Sequence, residues 1–206
     1  MAIKLITITS YNELPQIDGN SIFHSNELFK VFEQTKGYKP IMIVAKDGDK
    51  YVARLMGTIR RSVRFFPPSI IKRCEVYGSG EYFDNSYDKE EVFAMLLEEL
   101  TQQAKKRSFL IEFRNLENPL LGYEAFKKNN YFAINWLRVY NSLHSKAPED
   151  RLSSSKRRQI NRAIKSGVTI EITQNEEDII TFSKMLEKNY SSKIRKHFPH
   201  INFFIQ

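Results

Sequence analysis

Hydrophobic residues along the chain alternate with two different periods, and the changes of period mark the elements. Residues 3–9 alternate as a strand does, with Ile3, Leu5 and Thr7 on one side and Lys4, Ile6 and Ile8 on the other. Residues 22–35 switch to a helical spacing, with Leu28, Phe29, Val31 and Phe32 as the apolar stripe. Ser25 or Asn26 can cap that helix, and Gly37 ends it. Residues 38–46 and 50–59 are two apolar, β-branched runs joined by Asp47-Gly48-Asp49, a strong hairpin signal. After Pro67-Pro68 a strand resumes over 70–77 and stops at Gly78-Ser79-Gly80. Residues 88–107 carry the clearest helix. Val92, Phe93, Leu96, Leu97 and Leu100 share a face, with acids early and Lys105, Lys106 and Arg107 late, as the helix dipole favours.

Residues 108–114 read as a strand with Phe109, Ile111 and Phe113 on one face and Leu110, Glu112 and Arg114 on the other. Pro119 precedes a short helix to Asn129, and 132–143 is a further strand region. A boundary falls near residues 145–150. Beyond it, Ser153, Ser154 and Ser155 can cap a helix to Ser166, which Gly167 terminates. A strand over 168–173 and a helix over 175–190 follow, the latter with Ile179, Ile180, Phe182, Met185 and Leu186 inward. The fold class is thus α/β (α+β): a mixed sheet flanked by helices and largely antiparallel at its start. Residues 1–145 form a first domain, and 146–206 form the incomplete beginning of a second.

Composition narrows the class. The 206 residues are 41% hydrophobic and 27% charged, the balance of an ordinary globular chain. No apolar run approaches the ~20 residues of a membrane helix, and the N-terminus lacks the layout of a secretory signal. The lone Cys74 excludes an internal disulfide and a Cys-rich metal site, and it fits a cytoplasmic setting. It reads as a buried apolar residue.

The formal net charge of +8 is unevenly spread. Residues 1–150 hold 21 Lys and Arg against 19 Asp and Glu, a net of +2. Residues 151–206 hold 11 against 5, a net of +6. The positive field sits in the last quarter and favours anionic partners: a phosphate-bearing acceptor, tRNA, or the inner membrane surface.

Several residues carry candidate chemistry. Glu112 and Arg114 share a face of an interior strand, with Asn115 following. Charges there are costly unless paired or functional. They read either as a polar cleft floor, Arg114 contacting an anionic group and Glu112 orienting an amine, or as an ion pair at a sheet edge. Lys156, Arg157, Arg158, Arg162 and Lys165 make a basic helix, with Arg158, Arg162 and Lys165 on one face. That face suits phosphate, and a solvated basic face is the plain alternative. Gly78-Ser79-Gly80 is an anion-binding nest or an ordinary turn. Arg60, Arg61 and Arg64 beside Phe65 and Phe66 combine cations with aromatics, which reads either as a nucleic-acid site or as a strand end with packed phenylalanines. His197 and His200 are separated by Phe198-Pro199 and lack nearby carboxylates, which argues against a metal. His24 reads as a helix-start residue and Trp136 as core.

Two segments bring a family to mind. Phe23-His24-Ser25-Asn26-Glu27-Leu28-Phe29-Lys30-Val31-Phe32-Glu33, followed by Gly37-Tyr38-Lys39-Pro40 and Ile43-Val44-Ala45-Lys46-Asp47-Gly48, resembles the start of the FemABX peptidyltransferase-like acyltransferases of the GNAT superfamily. The stretch from Leu152 through Lys156, Arg157, Arg158 and Arg162 to Val168 resembles the junction into their second domain. The resemblance implies two GNAT-like domains, an acceptor in the cleft between them, and acyl or aminoacyl transfer to an amine of a peptidoglycan or other cell-envelope glycan precursor. It implies no bound cofactor, with aminoacyl-tRNA as donor ahead of acyl-CoA, in the cytoplasm or at the inner face of the inner membrane. No catalytic residue follows from it.

Three features depart from that pattern. The second domain stops after its first helix–strand–helix. The Arg/Gln-x-x-Gly-x-Gly/Ala loop of CoA-using members has no match, since Arg54-Leu55-Met56-Gly57-Thr58-Ile59 fails at its last position. Phe32 stands where cell-wall members often place a lysine for the acceptor's phosphates. The alternatives from other classes are a non-catalytic binding module for RNA or an anionic surface, and a subunit completed by a partner. The apolar tail of Ile201, Phe203, Phe204 and Ile205 motivates the latter as a contact for an oligomer.

Overall fold

The computed structural model describes residues 3–61, 72–116, 118, 120–134, 146–193 and 198–205. Pro67-Pro68, Arg64, Phe65, Phe66, Trp136, His197 and nearly all of the expected strand over 132–143 lie outside these residues. The described strands are β1 (Lys4–Ile8), β2 (Tyr38–Asp47), β3 (Lys50–Arg61), β4 (Lys72–Tyr77), β5 (Glu81–Tyr82) and β6 (Leu110–Arg114). The helices are α1 (Asn26–Gln34), α2 (Lys89–Lys105), α3 (Tyr123–Lys128), α4 (Ser154–Lys165), α5 (Glu176–Lys193) and α6 (Asn202–Ile205). The strands build one mixed sheet of order β1-β2-β3-β4-β6, with β5 pairing β3. Neighbours are antiparallel except β4 and β6, which run parallel across the α2 crossover.

The hairpin forms where the Asp-Gly turn placed it, with Gly48 at φ 59° between β2 and β3. Both strands are buried along their middle, because helices cover both faces. On one face Ile41, Ile43, Leu55, Cys74 and Val76 pack under Val92, Leu96, Leu100 and Ala104 of α2. On the other, Ile8, Met42, Val44 and Met56 pack under Phe29 of α1. Ser25 caps α1 through Leu28 N–H, and Asp88 caps α2 through the N–H groups of Glu90 and Glu91. Phe93 joins Phe113, Phe126 and Tyr131 in an edge-to-face cluster that seats α3. Gly122 opens α3 at φ 75°, where a Cβ would lie 2.1 Å from the Phe93 ring.

The chain divides into two compact units, Met1–Phe132 with Glu176–Gln206, and Ala133–Asn175. The expected division at 145/146 separates residues differently: α4 lies in the second unit, while α5 and α6 pack with the first. Aromatic contact is the reason. Phe203 of α6 stacks on Phe32 of α1 and Tyr38 of β2, each at 6.1 Å between centroids. The tail read as a free apolar contact is therefore mostly half-buried against its own unit.

Two elements beyond residue 150 differ from the sequence expectation. Residues 168–173 form no strand; Ile170 and Ile172 are fully exposed, and no described edge pairs with them. A strand needs a partner for its N–H and C=O groups, and periodicity alone supplies none. In α5 Ser183 is buried and Ile179, Ile180 and Leu186 are half-buried as expected, whereas Phe182 and Met185 are about half exposed.

Candidate functional site

The α1 side of the sheet is apolar where Ile8, Met42, Val44 and Met56 meet Phe29, and it turns polar from the end of β3 across β4 and β6. Alternation puts Arg60 of β3, Arg73, Glu75 and Tyr77 of β4, and Glu112 and Arg114 of β6 on this one side. Register places like charges opposite one another: Arg60 faces Arg73, and Glu75 faces Glu112. Such pairs repel, so the side chains reach diagonally instead. Arg60 donates from Nε and Nη2 to Glu75 at 2.6 and 2.7 Å. Arg73 donates from Nη1 to Glu112 at 3.1 Å, and Arg114 donates from Nε to Glu112 at 2.7 Å. Arg73 Nε lies 3.3 Å from Glu75 without forming a hydrogen bond. Three guanidiniums thus interleave with two carboxylates, a zigzag with one excess positive charge.

Burial rises toward the sheet centre: Glu75 is 6% exposed, Glu112 27% and Arg114 37%. Burial pushes Glu112 up, but Arg114 and Arg73 outweigh it and hold the carboxyl below its usual range. Glu112 therefore stays ionised at neutral pH. It is suited to holding an ammonium rather than to removing a proton. Burial raises the Tyr77 and Tyr38 hydroxyls.

Arg114 also lies over the Tyr77 ring at 5.1 Å, and Phe23 stacks on that ring at 5.5 Å. Phe23 is placed by its neighbours. His24 is buried and wedges in where β4 leaves β3, its Nδ1 3.1 Å from Met56 N and its Nε2 3.2 Å from Gly80 N. A neutral imidazole has one lone pair for these two donors, and the cation has none. Burial chiefly, and Arg54 in lesser part, lower its pKa to about 4 against a raising effect of Glu81. Glu81 accepts from Asn20 N–H and Ser21 N–H and pairs with the buried Arg54 at 2.7 Å. Arg54 also donates to Asn26. A Cβ on Gly19 would lie 2.5 Å from the ends of the Arg54 and Glu81 side chains, so a larger residue there has to displace the pair.

The sequence-predicted residues distribute as follows. Glu112 and Arg114 are joined as the ion pair that the plainer reading expected, but within a longer zigzag. Asn115 leaves the strand, and its side chain donates to Asn118 O at 2.8 Å. Gly78-Ser79-Gly80 is a turn. Gly78 N–H donates to Arg114 O and Gly80 N–H faces His24, so neither amide is turned to a ligand. Sequence reasoning missed Arg73, Glu75, Tyr77, Arg54 and Glu81 as site groups. Their signal was the alternation Arg73, Glu75, Tyr77 in a strand already identified. Cys74 is buried, and its thiol is pushed up to about 12 by burial first and Glu75 second.

In the second unit, α4 carries Lys156, Arg157, Arg158, Arg162 and Lys165 and no acid. At 100° per residue, Arg158, Arg162 and Lys165 fall within about 60° of arc, opposite Ile160 and Ile164. Ser153 caps the helix, yet Lys156, Arg157 and Arg158 crowd its positive end, which an anion would relieve. No described group of His, Cys, Asp and Glu could hold a metal, and no described helix is long and apolar enough to cross a membrane.

No protein-family model matches the chain, and no curated protein is similar to it. Among solved structures, a ribosomal-protein-alanine N-acetyltransferase from Brucella melitensis biovar Abortus 2308 aligns with 68% of this chain and 99% of its own, at TM-score 0.41 and 12% identity. The aminoglycoside acetyltransferase meta-AAC0020 from an uncultured soil metagenomic sample aligns with 68% and 95%, at TM-score 0.45 and 13% identity. The aminoglycoside N-acetyltransferase AAC(6')-Iy, in complex with CoA, aligns with 68% and 95%, at TM-score 0.43 and 8% identity. These similarities assign neither activity nor substrate to this chain.

Proposed function

We propose that the chain performs acyl transfer to an amine, with the charged zigzag on β3, β4 and β6 as the acceptor site. The observation that carries this reading is the placement of two carboxylates among three guanidiniums on one side of β3, β4 and β6. Glu112 orients the amine as an ammonium, while Arg73 and Arg114 take an anionic group on the same acceptor. Fixing both ends of the acceptor lowers the entropic cost of attack on an activated carbonyl. No residue is assigned as the base.

The FemABX-like segments support an aminoacyl-tRNA donor and a cell-envelope precursor as acceptor. The first turn of α2 adds to this. A helix N-terminus following a sheet strand can hold a pyrophosphate. Here Asp88 occupies two N–H groups, and Glu90 and Glu91 add negative charge. That electrostatics disfavours acyl-CoA at this helix end. The test offers the full chain charged tRNA and acetyl-CoA separately, with a phosphate-bearing amine as acceptor. Transfer that falls about tenfold or more in Glu112→Gln supports the reading; transfer from neither donor sinks it.

A second reading is RNA binding without catalysis. Arg158, Arg162 and Lys165 of α4 favour it, because these three are turned away from the two isoleucines, which Lys156 and Arg157 flank. RNA affinity would then fall steeply with salt and lose slope in Arg158→Gln/Arg162→Gln.

A further inference from the structure

Phe23 stands outside the core clusters and is 38% exposed, beside Ile22 at 69%. The ring is nevertheless held by costly contacts. The next residue, His24, is a buried wedge, and the two residues before Ile22 donate their N–H groups to Glu81, itself paired with the buried Arg54. An ion pair with a nearly fully buried Arg54 and a buried imidazole therefore fix a segment whose tip is a half-exposed aromatic ring. That ring stacks nearly parallel to Tyr77, with an interplanar angle of 15°, and Arg114 lies over the same Tyr77. Arg114 in turn donates to Glu112. The aromatic stack and the charged zigzag thus share one residue.

We propose that Phe23 and Tyr77 form a ring-binding subsite at the end of the zigzag, and that its ligand is an amino sugar carrying an anionic group. This rests on the acceptor reading above and names the acceptor's class. A pyranose has an apolar C–H face that packs on an aromatic ring and a rim of polar groups within one ring's width. Glu112 takes the amine, and the Arg114 and Arg73 guanidiniums take the anionic substituent. A ringless ammonium phosphate reaches the charges but leaves the aromatic surface unused.

The test titrates the full chain with four probes: glucosamine 6-phosphate, glucose 6-phosphate, phosphoethanolamine and uridine monophosphate. Saturation-transfer NMR maps the contacting ring protons. Glucosamine 6-phosphate is expected to bind about tenfold more tightly than each of the other three, with saturation on its C–H face. Phe23→Ala is expected to remove most of that advantage, while Phe23→Trp keeps it and guards against a folding artefact. Glu112→Gln is expected to erase the preference for the amino sugar over glucose 6-phosphate. Equal binding of phosphoethanolamine, tighter binding of the nucleotide, or indifference to Phe23→Ala in a folded variant overturns the proposal. Sugar binding without transfer to any acceptor would leave the subsite standing and remove the transferase reading. Transfer to a ringless amine without sugar binding would do the reverse.

Discussion

His24 shows how one side chain can hold a junction together. It fills the gap where β4 parts from β3 and can accept a hydrogen bond only while neutral. Its pKa of about 4 lies below the ordinary 6.5, so between those values the unfolded chain binds a proton that the folded chain does not. Stability is therefore present above pH 6.5 and is lost as pH falls toward 4. A shift of this size corresponds to about 3 kcal/mol. His24→Asn should flatten denaturant midpoints over that window; an unchanged pH slope would show that the ring is not held neutral. Ser21 and Arg54 at Glu81, and Arg114 and Arg73 at Glu112, offset the effect of burial and hold both carboxyls below their usual range. Their contribution is present above that range and is lost as pH falls through it. Cys74, buried with its thiol pushed up to about 12, should resist a disulfide reagent in the native state. Its labelling rate should then follow global unfolding across a urea series.

Elements set which charges meet. On β3, β4 and β6 the registers put like charges face to face, and the diagonals turn repulsion into a network. Losing Glu75 strands the Arg60 guanidinium in a largely buried place, so Glu75→Gln should cost about 3 kcal/mol. Losing the more exposed Glu112 should cost about 1 kcal/mol or less. Paired urea titrations test this ordering, and the reverse order would contradict the burial gradient. At the end of α2 the Asp88 cap is exposed and local. Asp88→Ala should lower stability by about 1 kcal/mol with no effect on the zigzag.

At the scale of the molecule, the closing segment belongs with the first unit through Phe203. The ring is half-buried between Phe32 and Tyr38. Phe203→Ala should cost about 1–2 kcal/mol, below the range for a fully buried ring. It should also speed proteolysis around residues 198–205 before the sheet is cut. Cleavage of the sheet and the tail at one rate would argue against a separately held α6.

The hairpin, α1, α2 and the shared face of Glu112 and Arg114 were legible in the residues alone. Each rests on a period of 2 or 3.6, a cap, or an Asp-Gly turn, all of which act within a few positions. Antiparallel pairing of β2 with β3 followed from their two-residue connection. The parallel β4–β6 pair, the Arg60–Glu75 and Arg73–Glu112 contacts, the His24 wedge and the return of α6 to α1 depend on residues 15 to 171 positions apart. Local pattern says which side of a strand a residue faces, but not which strand lies beside it. Register decides that, and register comes from packing the whole sheet between its helices. The same distinction explains residues 168–173: their alternation was real, but among the described residues no edge pairs with it, and it makes no strand.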